Sequence, residues 1–324
     1  MRSIWKDVFA AFIMGMVLPG VILNFAVMLM RREAPIADLQ ITIPAETKEK
    51  TVSLPVRVRS ADGTVAQRDM DEYLCCVLLA EMPVSFEEEA LKAQAVAART
   101  YAQKALITGG KHLDGSVCMV PGCCQSYIDP QVYMSQGGTA AGLEKIQNAV
   151  SATTGLCLEY EGELIEATYF SCSGGRTEDA AAVWGTDYPY LQAVDSPGEE
   201  EAAGFSDTVA FTVGAFCNAL GIELTAYLEC GIGSPVYTDG GGVETIEIGG
   251  ERFTGTQLRS LLGLRSTAFA LNTAGDSIVI TTYGYGHRVG MSQYGAEAMA
   301  LEGSDYRQIL SYYYPGTELV SVFP

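Results

Sequence analysis

The longest apolar run lies at the start of the chain. Val8 to Met30 is 23 residues without a charged side chain, and at the helical rise it reaches about 34 Å, enough to cross a bilayer. It is longer than the apolar core of a signal peptide and no small-x-small cleavage site follows it, so the pattern predicts a retained anchor over residues 1–33. Arg2 and Lys6 precede the run and Arg31 and Arg32 follow it, which leaves its orientation open on charge. Residues 34–54 are polar and carry Pro35 and Pro44, the pattern of a linker that sets reach.

Beyond the linker the pattern alternates between helical and strand periods. Leu54 to Val58 predicts a first strand. Asp71 to Ala80 predicts a short, almost wholly apolar helix that stops before Pro83, which places Glu81 at its end. Ser85 with Glu88 fits a capping box, and the small-residue face of Ala90, Gln94, Ala97, Tyr101 and Ala105 predicts a helix to about Ile107, ended by Gly109 and Gly110. From Gly155 onward short β-prone runs follow at Leu156–Tyr160, Leu164–Phe170 and Val209–Phe211, then helices near 214–220 and 256–262 and a strand at Ser277–Thr282. The sum is a mixed α+β fold over residues 55–324, with residues 196–265 as a second lobe and no internal repeat.

Composition narrows the function classes. With 48% apolar and 18% charged residues the chain can bury a real core. Its 39 acidic against 20 basic residues give a formal charge of −19, which excludes nucleic-acid binding by phosphate neutralisation. Glycine is frequent, at 35 of 324 residues, and suits loop-built sites. His112 and His287 are the two histidines of the whole chain, so histidine chemistry has few candidates.

Four places carry candidate chemistry. Glu81 closes the apolar run LCCVLLAEMP, where desolvation would raise a carboxyl toward the range of a general acid; a helix-end Glu pointing into water is the plain alternative. Arg99, on a small-residue helix, calls for an anionic partner: Glu81, a substrate, or an ordinary salt bridge. His112, Cys118, Cys123 and Cys124 are the four N/S ligands of a closed tetrahedral zinc site, which staples a loop and activates no water; a disulfide such as Cys118 to Cys123 is the competing reading. Cys75 and Cys76 lie in an apolar run, and Cys157, Cys172, Cys217 and Cys230 read as buried thiols. Finally, YFSCSGGRTED at 169–179 and GYGHRVGMSQYG at 284–295 have the hydroxyl and glycine content of loops that approach a polar ligand closely. Neither holds a G-x-S-x-G elbow, and His287 is the one histidine that could serve Ser171 or Ser173 as base, which argues against a serine hydrolase.

The segments AEMPVSFEEEALKAQAVAARTYA, CCQSY, SCSGGRTE with VWG and PYL, LRSLLGLRST, GHRVGMSQYGAEAMA and ILSYYYPGTEL occur in one order over residues 55–324. In this the chain resembles the stage II sporulation protein D family, which is shared with the amidase-enhancer proteins. The resemblance implies a peptidoglycan lytic transglycosylase that cuts between N-acetylmuramic acid and N-acetylglucosamine of peptide-free glycan strands during sporulation engulfment. Glu81 matches the catalytic glutamate: acid to the glycosidic oxygen, then base to the muramic 6-hydroxyl, leaving a 1,6-anhydro ring. Because the nucleophile belongs to the sugar, a second carboxylate is unnecessary.

The resemblance further implies glycan contacts in a cleft from Arg99, Tyr169, Ser171 and Ser173, and from His287, Ser292, Gln293 and Tyr294. It implies structural zinc at His112, Cys118, Cys123 and Cys124, with Cys123 where the family usually has histidine. Arg288 and Tyr312 are two more departures, expected to alter glycan subsites. It also implies a single-pass anchor in the mother-cell membrane facing the forespore, with stage II sporulation proteins P and M as partners. Two competing functions remain: a wall-binding activator of an amidase without cleavage of its own, and a zinc hydrolase, which requires an open coordination position.

Overall fold

A computed structural model describes residues 54–120 and 122–323. The expected anchor and nearly all of the linker lie outside these residues. Among the described residues no helix is long and apolar enough to cross a membrane.

The strand β1 (Pro55–Arg59) pairs antiparallel with β2 (Val65–Asp69). Asp69 then caps α1 (Met70–Glu81) by accepting the Asp71 and Glu72 N–H groups, which satisfies donors the first helical turn cannot. The helix ends at Glu81 because Pro83 forces Met82 into an extended conformation, with φ −124° and ψ 143°. After it comes α2 (Glu88–Thr108), closed by Gly109 in the left-handed conformation. Its first turn differs from the sequence expectation. Glu87 is the cap residue and no side chain caps it; its N–H goes to Glu297 Oε2 at 2.6 Å, a partner 210 residues away that no local pattern encodes.

The helix α2 is the axis of the main core. Its alanines let neighbours approach closely, and twelve of its residues are buried. Around it lie α1, α4 (Ala140–Ser151), β4 (Leu156–Tyr160), α9 (Gln293–Leu301) and α10 (Tyr306–Tyr313). Between these run β3 (Val117–Cys118), which pairs parallel with β1, and the short α3 (Pro130–Ser135). The expected strand 164–170 is two short pieces, β5 (Glu163–Leu164) and β6 (Tyr169–Phe170), followed by α5 (Ala180–Trp184). The chain closes with β14 (Glu318–Ser321) beside β4.

A second core gathers Phe216, Ile222, Val243, Ile246, Ile248, Leu258, Phe269, Ile278 and Ile280. It takes in β7 (Ser206–Thr212), α6 (Val213–Leu220), α7 (Leu224–Cys230), β8 (Val236–Tyr237), β9 (Val243–Ile248), β10 (Glu251–Thr254), α8 (Gly255–Leu262), β11 (Ala268–Ala274) and β12 (Ser277–Tyr283). The pairing of β7 and β11 on either side of β12 carries this core past residue 265. The architecture is α+β, with ten helices and several small sheets among the described residues.

β13 (Met291–Ser292) pairs parallel with β6, Met291 opposite Tyr169 and Ser292 opposite Phe170. That short pairing joins the two glycine-rich segments the sequence singles out. Gly174 and Gly284 sit backbone to backbone: a Cβ on Gly174 would meet the Gly284 nitrogen at 2.6 Å. Both have positive φ, so only glycine fits without strain.

Candidate active site

Glu81 stands half-buried at the end of α1. Its Oε1 accepts the Ser126 N–H at 2.6 Å; among the described residues no partner takes Oε2. The carboxyl is thus held by one oxygen and presents the other. A fixed carboxyl with one uncommitted oxygen is what proton transfer to a bound substrate requires.

Ser126 follows Gln125, a buried residue that organises the site. The Tyr73 hydroxyl donates to Gln125 Oε1 at 2.9 Å, and Gln125 Nε2 donates to the Tyr169 hydroxyl at 2.9 Å and to the Ala98 carbonyl at 3.2 Å. Burial keeps both phenols protonated, well above their ordinary pKa; the Glu81 charge is the next cause at Tyr169 and a lesser one at Tyr73. Because Tyr169 accepts from Gln125, its own O–H remains available for a further acceptor. Sequence reasoning missed Tyr73, Gln125 and Ser126. The one signal was CCQSY, which sets a long amide directly after the cysteine cluster.

That cluster lies in the loop just upstream. One donor atom from each of His112, Cys118, Cys123 and Cys124 lies within 4.8 Å of all the others, and Cys123 Sγ stands 3.7 Å from His112 Nε2. Donors on a tetrahedral zinc with bonds of about 2.3 Å to sulfur are roughly 3.8 Å apart, so the set fits that ion. All nine cysteines are free thiols, Cys118 and Cys123 included, and Cys230 is exposed where a buried thiol was expected. Burial opposes ionisation of Cys118, yet hydrogen bonds from His112, the Val120 backbone and Cys123 and Cys124 bring it down to about 6. A ready thiolate is the form that binds a metal.

The other residues the sequence proposed divide into two groups. Arg99 is 1% exposed and does not reach the surface that bears Glu81. Its guanidinium pairs with Asp71 at 3.1 Å and donates to the Thr153 hydroxyl and the Val150 and Leu156 carbonyls. It ties α1, α2 and α4 together, the ordinary salt-bridge alternative. Ser173 is also fully buried, its hydroxyl and N–H both given to the Glu199 carboxylate. Ser292 is buried and caps α9 through the Gly295 N–H. Gln293 is buried too, and its Nε2 has no hydrogen-bond partner among the described residues.

Tyr169, Ser171, His287 and Tyr294 form the second group, brought together by the β6–β13 pairing. The Ser171 carbonyl accepts the Tyr294 N–H at 3.1 Å, and the Ser171 hydroxyl has no partner among the described residues. The Tyr294 ring packs edge-on against Phe86 at 5.0 Å. His287 Nδ1 accepts the Val289 N–H at 3.1 Å, while its ring lies 5.7 Å from Phe170 and 5.3 Å from Trp184. Burial, then the charges of Arg259 and Lys111, lowers its pKa to about 4, so His287 is neutral near pH 7.

Arg288 corrects an expectation. It is 2% exposed and has φ +66°, a conformation natural to glycine. Its guanidinium pairs with Glu178 at 3.2 Å and donates to the carbonyls of Ser173, Arg176 and Gly240. It cannot meet a glycan; it locks the 173–178 loop to the 238–242 turn. Tyr312, the other departure, is exposed and donates to the Asp195 carbonyl at 2.6 Å.

Residues 59–160, which include Glu81, the cysteine cluster and Gln125, match the family described as Stage II sporulation protein. Stage II sporulation protein D of Bacillus subtilis (strain 168) is 39% identical over 280 residues, covering 85% of this chain and 81% of that protein. The chain belongs to the stage II sporulation protein D family. Its relative in Bacillus amyloliquefaciens is 39% identical over 276 residues, 84% of this chain and 80% of that one. A more distant relative, called amidase enhancer in B. subtilis, is 28% identical over 302 residues, 74% of this chain and 39% of its own length.

Proposed function

We propose that this family member is a peptidoglycan lytic transglycosylase acting on peptide-free glycan strands during sporulation engulfment, with Glu81 as its acid and base. The observation that carries the reading is the Glu81 carboxyl itself, pinned through Oε1 by the Ser126 N–H with Oε2 uncommitted. Oε2 would protonate the oxygen between N-acetylmuramic acid and N-acetylglucosamine. The carboxylate so formed would then take the proton of the muramic 6-hydroxyl as that oxygen attacks the anomeric carbon of its own ring. The proton that leaves Glu81 in the first step returns in the second, and the products are a new 4-hydroxyl end and a 1,6-anhydro end. The Tyr169 O–H, freed by the Gln125 donation, and the free Ser171 hydroxyl supply sugar contacts beside it, with His287 and Tyr294 walling the same surface.

His112, Cys118, Cys123 and Cys124 would hold a zinc ion. With all four positions filled by protein, zinc would brace the loop that delivers Ser126 to Glu81 and would bind no reactive water. The apolar run Val8–Met30 would anchor the protein to the mother-cell membrane with the catalytic domain facing the forespore, and stage II sporulation proteins P and M would be its partners, P removing stem peptides first.

The relative called amidase enhancer supports a second reading, a glycan-binding activator of a cell-wall amidase. The two separate on one variant: Glu81→Gln abolishes a transglycosylase and leaves amidase stimulation by an activator intact.

A further inference from the structure

Three of the four donors in the ligand loop are sulfurs, and one donor atom from each of His112, Cys118, Cys123 and Cys124 lies within 4.8 Å of all the others. Bonded sulfurs stand about 2 Å apart, so a local movement is enough to join two of these thiols. Cys123 and Cys124 are the wrong pair. Adjacent Cα atoms are about 3.8 Å apart, below the usual disulfide span of about 4.4–6.8 Å. Cys118 must therefore be one member.

The two possible partners differ in freedom. Cys124 directly precedes Gln125, whose amide is held by Tyr73, Tyr169 and the Ala98 carbonyl. Cys123 is half-buried and follows Gly122, which is exposed and where an added Cβ would meet nothing within 4 Å. Its N–H donates to the Val120 carbonyl at 3.1 Å. That turn folds Cys123 back toward Cys118, which is buried in β3 and paired there with Arg59 of β1. The chain is thus anchored at Cys118 and has room at Cys123, the side that solvent reaches.

We infer that Cys123 and Cys118 form a thiol–disulfide exchange site that expels the zinc when a small-molecule disulfide oxidises it. The Cys123 thiolate attacks one sulfur of the incoming disulfide, breaks its S–S bond and releases one thiolate. Cys118 then attacks the Cys123 sulfur of the mixed disulfide, forms the Cys118–Cys123 bond and releases the second thiolate. Two electrons pass from the cysteines to the incoming disulfide. His112 and Cys124 remain, two ligands where a closed zinc site needs four, and the metal leaves. The inference rests on the zinc reading of the cluster. The glycan-cutting reading adds its consequence: Ser126, three residues beyond Cys123, holds Glu81 Oε1 at 2.6 Å, so oxidation loosens the carboxyl and reduction in the presence of zinc restores it.

Full-length protein is loaded with zinc and titrated with oxidised glutathione; released zinc is read with a chromogenic chelator, and disulfide-linked peptides are mapped by mass spectrometry. The parent releases its zinc, gains a Cys118–Cys123 linkage, and takes zinc up again after reduction by a dithiol. Cys123→His keeps four ligands and lacks the attacking thiol, so it loses zinc at least about tenfold more slowly at the same oxidant concentration. Cys230→Ser, which removes the exposed thiol elsewhere, behaves as the parent does. Zinc retained by the parent in excess oxidant, release without a Cys118–Cys123 linkage, or release from Cys123→His as fast as from the parent overturns the inference and leaves the glycan-cutting reading untouched. A parent that cannot be loaded with zinc overturns the zinc reading together with it.

Discussion

The Ser126 N–H donates to Glu81 Oε1 at 2.6 Å, and Ser126 stands two residues beyond Cys124, the last of the four metal-ligand candidates. The loop that gathers those ligands is therefore the loop that orients the carboxyl. Gln125, between them, carries the hydrogen bonds of Tyr73 and Tyr169. A ligand set remote from the reacting bond can in this way control the reaction by position alone.

Metal removal follows from this. Stripping zinc with a chelator should lower kcat by about 10–100-fold, as loss of supporting contacts does, and added zinc should restore it. Some activity should persist in the metal-free protein that remains folded. Complete loss from a folded protein would point to a metal-bound nucleophile instead. Because the ligands must be deprotonated, zinc should be released more readily as pH falls.

Tyr169→Phe should separate chemistry from folding. The Gln125 amide loses one acceptor, while the ring and its packing stay. Steady-state kinetics should show kcat/KM reduced by about tenfold, with a melting temperature within a few degrees of the parent.

Arg288→Met tests the buried lock. Glu178 is 1% exposed on its side chain, so removing its cation leaves a buried carboxylate with the Thr238 hydroxyl as donor and no opposite charge, at a cost of about 3 kcal/mol. Denaturant unfolding should show that loss, and adding Glu178→Gln should restore a large part of it. Glycan binding by the folded single variant should match the parent, because Arg288 does not reach the surface.

His287 predicts an acid limb in stability. Its pKa is about 4 in the folded protein, lowered chiefly by burial from an ordinary 6.5. Between those values the unfolded chain binds a proton that the folded chain refuses, so stability rises with pH there and is lost as pH falls from about 6.5 toward 4. Urea unfolding across that window should show a shallower slope for His287→Gln than for the parent.

How much of this was legible in the sequence depends on whether the cause was local. The end of α1 at Glu81 was legible because Pro83 acts on its immediate neighbours, and the ligand cluster because its spacing lies within thirteen residues. The pairing of the 169–171 and 291–294 segments was legible only as shared composition. Arg99 was misleading for a physical reason: the small residues around it let other helices close over it, so its partners are Asp71 and the end of α4 and not a ligand. Ser85 and Glu88 fit a cap that Glu297 displaced from across the fold. Gln125 and Arg288 act through partners far along the chain, which no short window contains.

The central claim is that Glu81 cuts glycan by transglycosylation. Mass spectrometry of peptide-free strands incubated with residues 34–324, beside a Glu81→Gln variant of equal fold, tests it most directly. The account predicts fragments ending in 1,6-anhydro-muramic acid with the parent and none with the variant. Intact strands with both proteins, or anhydro ends that persist in the variant, would contradict it.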